Sequence, residues 1–211
     1  GRGTKTYVMM CQAKRAGYER QHTALDLHDR KCDQNLARLR KAGITGVRTV
    51  SGDACELDAV LTSFDAMLGE PALFDTVFID APCSGTGTMR RHPEIPWRLT
   101  ANDVTTALPT LQLTMLKEAA PRVAIGGELI YATCSVFDEE NTQVIDAFLA
   151  SSEGQGFSVE PLSEAQILQL PEFAQAKKLV SVRQNDRGLF QSVPINADSY
   201  DGHFCARLIR N

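Results

Sequence analysis

Phe74-Asp-Thr-Val-Phe-Ile79, closed by Asp80 and followed by Ala-Pro-Cys83-Ser-Gly-Thr-Gly-Thr88, is the stretch on which the fold turns. It reads as a short apolar strand that ends in an acid and opens into a long polar loop over residues 82–100. Upstream, the pattern alternates. A helix is predicted over 56–68, a strand over Val47–Ser51 closed by Gly52-Asp53, and a helix over Asp29–Ala42. That helix carries Cys32, Leu36 and Leu39 at helical spacing and stops at Gly43. Before it come a strand at His22–Leu27 and a helix over 5–16. Downstream, a helix is predicted over 103–123 with Pro109 and Pro121 near its ends, then Gly126-Gly127 and a strand at Glu128–Ala132. A helix over 138–151 follows, with Asp138, Glu139 and Glu140 in a first turn where acids suit the helix dipole.

Short apolar strands alternating with helices of about 10 to 15 residues predict a mostly parallel α/β sheet. Past residue 155, Phe157–Glu160, Leu179–Arg183 and His203–Ile209 read as strands without regular helices between them. They predict an antiparallel edge at the C-terminal end of the sheet. No repeat or low-complexity linker interrupts residues 1–211, so a single domain is expected. The first element is a glycine loop entering a helix, with no strand before it. In doubly wound folds such a loop follows the first strand, so the expectation is a chain cut short at its N-terminus.

The composition is that of an ordinary globular protein: 211 residues, 43% hydrophobic, 23% charged, with a mean hydropathy of -0.18. No apolar run reaches the roughly 18 residues that span a bilayer. Gly-Arg-Gly-Thr-Lys-Thr at the start has no apolar stretch after its charges, so it is not read as a signal peptide. A cytoplasmic protein with no membrane contact is the expectation. The net charge of -4 argues against a protein that coats nucleic acid without specificity. Residues 1–50, however, hold 11 Lys or Arg against 4 Asp or Glu, while 51–211 hold 11 against 22. The basic part is either a phosphate-facing patch or a set of solvated helix faces.

Three predicted strands end in an acid: Asp26, Asp53 and Asp80. In open parallel sheets ligands sit at the carboxyl ends of the strands. An acid about 20 residues after a glycine loop can accept from ribose hydroxyls, and Asp26 follows Gly3 at that distance. Three like endings point to a nucleoside-containing cofactor, with NAD and S-adenosylmethionine both open. The loop Gly1-Arg2-Gly3-Thr4-Lys5 matches neither a dinucleotide fingerprint nor a Walker loop.

Of six cysteines, Cys11, Cys32, Cys55 and Cys205 are expected to be small buried hydrophobes. None of the spacings matches a zinc site, and no metal is expected. Cys83 and Cys134 differ. Each lies just past an apolar strand in a polar turn, where a thiol is exposed and a thiolate can gain backbone N–H donors. On neighbouring strands the two face one cleft.

Four segments carry a resemblance. Asp80-Ala-Pro-Cys-Ser-Gly, Arg90-Arg-His-Pro-Glu-Ile-Pro-Trp-Arg98, Gly126-Gly-Glu-Leu-Ile-Tyr-Ala-Thr-Cys-Ser-Val136 with Glu139-Glu-Asn141, and Asp201-Gly-His-Phe-Cys-Ala-Arg-Leu208 resemble the RNA cytosine-5 methyltransferase family of the RsmB/Sun type. The likeness runs over residues 1–150 and returns near 200, while 155–195 match little. It implies a Rossmann-like class I fold, S-adenosyl-L-methionine as cofactor, and ribosomal RNA as partner. It further implies Cys134 as the nucleophile that adds to cytosine and Cys83 as the thiol assisting release. Gly1 to Lys5, Asp26, Asp53 and Asp80 are implied as cofactor contacts, Asp80 by its position also reaching the base. Arg90, Arg91 and His92 are placed to hold RNA phosphates, or else form a solvated loop cluster. The chain departs from the family loop Cys-Ala-Ala-Pro-Gly-Gly-Lys, with Arg2 where proline is usual and Thr4 where glycine is usual. The family's N-terminal RNA-binding extension is also absent from these residues. The rival expectations are a non-catalytic RNA-binding module on the same type of sheet, and a nicotinamide oxidoreductase, which would leave both cysteine motifs unexplained.

Overall fold

Gly3, with φ at 70°, turns the chain into helix α1, Thr4–Arg15. A side chain is excluded there twice over: the backbone is left-handed, and a Cβ would lie 1.7 Å from Asn35 Oδ1. The computed structural model describes residues 3–161, 184–194 and 200–211. Gly1, Arg2 and the strand predicted at Leu179–Arg183 lie outside the described residues. The chain divides into two compact units, Gly1–Ala72 and Leu73–Asn211, each with its own sheet.

In the first unit, α1 is followed by β1 (His22–Asp26), α2 (Asp29–Lys41), β2 (Val47–Ser51), a 3-10 turn at Ala54–Glu56 and α3 (Leu57–Leu68). The two strands are parallel, with Asp26 opposite Ser51, and α2 is the crossover such a pair requires. On α2, Cys32, Asn35 and Leu39 turn inward, and Met10, Ala13 and Leu61 complete the small core. Five of this unit's eleven basic residues lie in the last turns of the helices, Lys14 and Arg15 on α1 and Arg38, Arg40 and Lys41 on α2, where they meet the negative helix ends.

The second unit begins with β3 (Phe74–Asp80). Its loop is not irregular throughout: it holds a 3-10 turn at Thr86–Thr88 and a single helical turn, α4 (Ile95–Arg98). A π-helical turn at Asp103–Ala107 runs into α5 (Leu108–Ala119). The helix predicted to reach 123 stops short, because Pro121 lies in a closing 3-10 turn and β4 starts at Val123. β4 (Val123–Thr133) bulges where Gly126 adopts φ 75°, so its pairing with β3 jumps from Phe74–Val123 to Thr76–Glu128. α6 (Thr142–Leu149), β5 (Phe157–Val159), β6 (Phe190–Ser192) and β7 (His203–Arg210) complete the unit.

Its sheet runs β3-β4-β7-β5, with β6 also on β7. β3 and β4 are parallel, whereas β7 runs antiparallel to β4, β5 and β6. This sheet is mixed, one parallel pair followed by the antiparallel C-terminal edge that was expected. On the inner face, Leu129 and Tyr131 of β4 lie beside Leu208 and Ala206 of β7, all fully buried. Leu116, Ile145 and Phe148 from α5 and α6 are buried with them. No helix among the described residues is long and apolar enough to cross a membrane.

Candidate active site

β3 and β4 lie side by side in the same direction, Asp80 opposite Ala132. Three residues past Asp80 is Cys83, and two past Ala132 is Cys134. The parallel register therefore delivers both thiols to the carboxyl edge of the sheet. Their sulfurs lie 3.2 Å apart, and the Cys134 N–H donates to Cys83 Sγ at 3.3 Å.

Backbone N–H groups of Cys134 and Gly85 favour the Cys83 thiolate, but other causes outweigh them. Its pKa is pushed far up, first by the hydrogen bond with Cys134, then by burial and by repulsion from the Cys134 sulfur. The thiol is therefore not exposed as expected, while the expected backbone donors are present. Both thiols are half-buried, and two sulfurs in contact cannot both carry charge. Either sulfur can be the donor across the 3.2 Å gap.

Beneath the sulfurs lies a polar network that the sequence pattern does not reveal. Glu140, predicted as a dipole-facing helix acid, is fully buried. Its Oε2 accepts from the Ser84 and Ser135 hydroxyls, both at 2.5 Å. Its Oε1 accepts from the Ser84 N–H at 2.8 Å and from Gln112 Nε2 at 3.1 Å. Thr86 Oγ1 sits 3.1 Å from Ser84 Oγ and accepts from the Val136 N–H at 3.1 Å. The available signal was a serine directly after each cysteine together with the Glu140-Asn141 pair.

A second link ties the loops to β7. The Gly87 N–H donates to the Cys134 carbonyl at 2.8 Å, and the Gly202 N–H donates to the Gly87 carbonyl at 2.7 Å. Beside Gly202, Asp201 receives Arg91 through Nε at 2.8 Å and Nη2 at 2.5 Å, with Arg90 Nη2 at 3.6 Å. His92 Nδ1 stands 3.4 Å from Glu94 Oε1. The cluster Arg90, Arg91 and His92 is thus exposed but already partnered by carboxylates. The Arg91 guanidinium holds the Asp201 carboxyl below its usual range.

In the first unit, Asp26 ends β1, its Oδ1 accepting from the His28 N–H at 3.1 Å with Lys31 Nζ at 3.8 Å. Asp53 follows β2 and caps the 3-10 turn, accepting from the Cys55 N–H at 2.8 Å. Both occupy the carboxyl edge of their own two-stranded sheet. Thr4 and Lys5 are not loop residues: they form the first turn of α1 behind Gly3. Asp80, at the end of β3, belongs to the unit of the thiols.

The other cysteines divide. Cys32 is buried, donating to the Val50 carbonyl at 3.3 Å. Cys205 is half-buried on β7, and burial raises its pKa to about 11. Cys55 is half-buried and Cys11 is exposed, contrary to the expectation of four buried thiols. α1 turns Met10 and Ala13 inward, and Cys11, one step of about 100° past Met10, faces out.

A parallel α/β pair in one unit and, in the other, a mixed sheet with an antiparallel C-terminal edge make up the Rossmann-like fold of class I methyltransferases. The fold matches the crystal structure of NSun6 from Pyrococcus horikoshii with SFG, at a TM-score of 0.71 and 19% identity, over 99% of this chain and 45% of that one. The family model described as 16S rRNA methyltransferase RsmB/F matches residues 1–209, and the chain belongs to that family. Ribosomal RNA small subunit methyltransferase B of Pseudomonas putida is 45% identical over 108 residues, which are 48% of this chain and 24% of the relative. Its counterpart in Pectobacterium atrosepticum is 34% identical over 142 residues, 67% of this chain and 28% of the relative. The chain thus matches about a quarter of the length of these curated relatives.

Proposed function

We propose that this chain carries the methyl-transfer chemistry of an enzyme that modifies carbon 5 of a cytosine in small-subunit ribosomal RNA, with S-adenosyl-L-methionine as donor. The observation that carries the reading is the pair of sulfurs 3.2 Å apart at the ends of adjacent parallel strands. Carbon 5 of cytosine is a poor nucleophile until a thiolate adds at carbon 6. Cys134 is assigned as the member that adds because it stands in the Thr133-Cys134-Ser135 motif that resembles the family's nucleophile, with Cys83 beside it to assist release. Once Cys134 is bonded to carbon it no longer repels a charge on Cys83. With the methyl group on carbon 5, Cys83, its own proton given up to solvent, takes the carbon-5 proton as the Cys134–carbon bond breaks and its electron pair returns to Cys134. The relatives' names, as rRNA methyltransferases, support the substrate.

The residues of the first unit fit a nucleoside cofactor. Gly3 leaves the backbone bare at the head of α1, and Asn35 Oδ1 beside it is buried without a hydrogen-bond partner among the described residues. Asp26 at the end of β1 and Asp53 just past β2 are the acceptors assigned to ribose hydroxyls and an adenine amino group. Gly1, Arg2, Thr4 and Lys5 complete this set by position. When bound, the cofactor supplies an electrophilic methyl group on a sulfonium. Asp80, in the unit of the thiols, is assigned to the cofactor or to the target base, and Arg90, Arg91 and His92 to neighbouring phosphates.

The test is denaturing electrophoresis of wild type, Cys83→Ala and Cys134→Ala after incubation with labelled ribosomal RNA and S-adenosylmethionine. A slow covalent band is expected in Cys83→Ala, and no 5-methylcytosine from Cys134→Ala. Methylation by Cys134→Ala would sink the proposal. Absence of any band, with no methyl incorporation by wild type, would favour a binding module.

A further inference from the structure

Cys83 and Cys134 are 51 residues apart in the chain, and no covalent link sets the gap between their sulfurs. What brackets them is one dipeptide. Glu140 accepts from Ser84, the residue after Cys83, through both its N–H and its hydroxyl. It also accepts from the Gln112 amide, which in turn donates to the carbonyl of Pro82, the residue before Cys83, at 2.9 Å. Asn141 does the same for the other cysteine. Its Oδ1 accepts from the hydroxyl of Thr133, just before Cys134, at 2.6 Å. Its Nδ2 donates to the carbonyl of Ser135, just after Cys134, at 3.0 Å. Glu140 closes the frame by accepting the Ser135 hydroxyl on the same oxygen that holds Ser84. The frame is itself fixed: the Tyr131 hydroxyl donates to the Glu140 carbonyl at 2.6 Å.

Both Glu140 and Asn141 are fully buried. A buried carboxylate carries a desolvation cost that an apolar side chain avoids, so packing alone does not call for one here. Its four donors do, and they come from the two thiol-bearing loops and from α5. Neither sulfur is among them, which leaves the thiols facing each other at the top of a rigid base.

We propose that Glu140 is a positioning residue for the thiol pair: it locks the chain beside each cysteine and thereby sets the approach of the two sulfurs. The inference rests on the reading of Cys83 and Cys134 as the reacting groups, and its test reads the sulfurs without RNA or cofactor. The chain is treated with diamide, which takes up the two thiol protons and two electrons as the Cys83–Cys134 disulfide forms, itself becoming the hydrazine. The linked peptide is followed by mass spectrometry in wild type, Glu140→Gln and the neighbouring control Glu139→Gln. Gln keeps the size and one acceptor oxygen but replaces the oxygen shared by the two serines with a donor.

Glu140→Gln, with unchanged far-UV circular dichroism, is expected to form the disulfide about tenfold more slowly, the scale of a lost charge-assisted hydrogen bond. In methyl transfer its kcat falls in like proportion while KM for S-adenosylmethionine stays the same. Glu139→Gln matches wild type in both assays. A folded Glu140→Gln with wild-type disulfide and turnover rates, and only a lowered Tm, overturns the inference, since Glu140 then serves stability alone. If Glu140→Gln does not fold, Ser135→Ala, which removes one donor, takes its place. A slowing of about threefold is then expected, and a wild-type rate again overturns the proposal. Slowed disulfide formation in a chain whose wild type transfers no methyl group leaves the positioning role standing and removes the proposed reaction.

Discussion

Gly87→Ala probes the contact that ties the Cys83 loop to both Cys134 and β7. A Cβ at residue 87 would lie 2.1 Å from the Gly202 carbonyl oxygen, 2.6 Å from its carbon and 2.8 Å from its Cα. All three are backbone atoms, so no side chain can swing away. Relief requires the two segments to part by about an ångström, to ordinary van der Waals contact. That movement strains the hydrogen bonds on either side of Gly87, to the Cys134 carbonyl at 2.8 Å and from the Gly202 N–H at 2.7 Å. Each contributes about 1 kcal/mol, and forcing a methyl group into a close-packed site adds about 1–3 kcal/mol. A loss of about 3–5 kcal/mol is expected from urea denaturation followed by circular dichroism. Gly156→Ala is the control, because a Cβ there meets nothing within 4 Å. It is expected to be neutral or stabilising by up to about 1 kcal/mol. A loss below about 1 kcal/mol for Gly87→Ala would refute the reasoning, since the loops would then be free to part without cost.

Two further outcomes follow from the charges and thiols. The Asp201 carboxyl is held low by Arg91. Its contribution to stability is therefore complete above the unfolded value of about 3.9 and is lost as pH falls through the lower folded value. Asp201→Asn should flatten the acid limb of a Tm-versus-pH curve while leaving the neutral limb parallel, and identical acid limbs would rule the linkage out. Among the thiols outside the pair, the exposed Cys11 is expected to react first with iodoacetamide. Cys205, raised to about 11 by burial, should at about pH 8 lag a free cysteine by roughly two orders of magnitude. Equal labelling of Cys11 and Cys205, read by peptide mapping, would contradict that.

The sequence by itself determined the elements that local periodicity encodes. Strands ending at Asp26 and Asp80, the acid Asp53 just past β2, and cysteines two or three residues beyond a strand pair follow from apolar runs cut off by polar turns. So does the antiparallel edge at His203–Arg210, because the sequence there has no helical periodicity. Local pattern failed where a neighbour in space overrode it. Val123 begins a strand inside a predicted helix, since β3 offers a ladder that the bulge at Gly126 accommodates. Only the tertiary structure decided the rest. Glu140 has the sequence signature of a solvated helix-start acid, and its burial depends on donors from segments 5, 28 and 56 residues away. Arg91 meets Asp201 across 110 residues. The gap between the sulfurs belongs to that level too. Side-chain periodicity records which face of an element is buried, whereas a hydrogen bond between distant segments depends on how those segments are brought together.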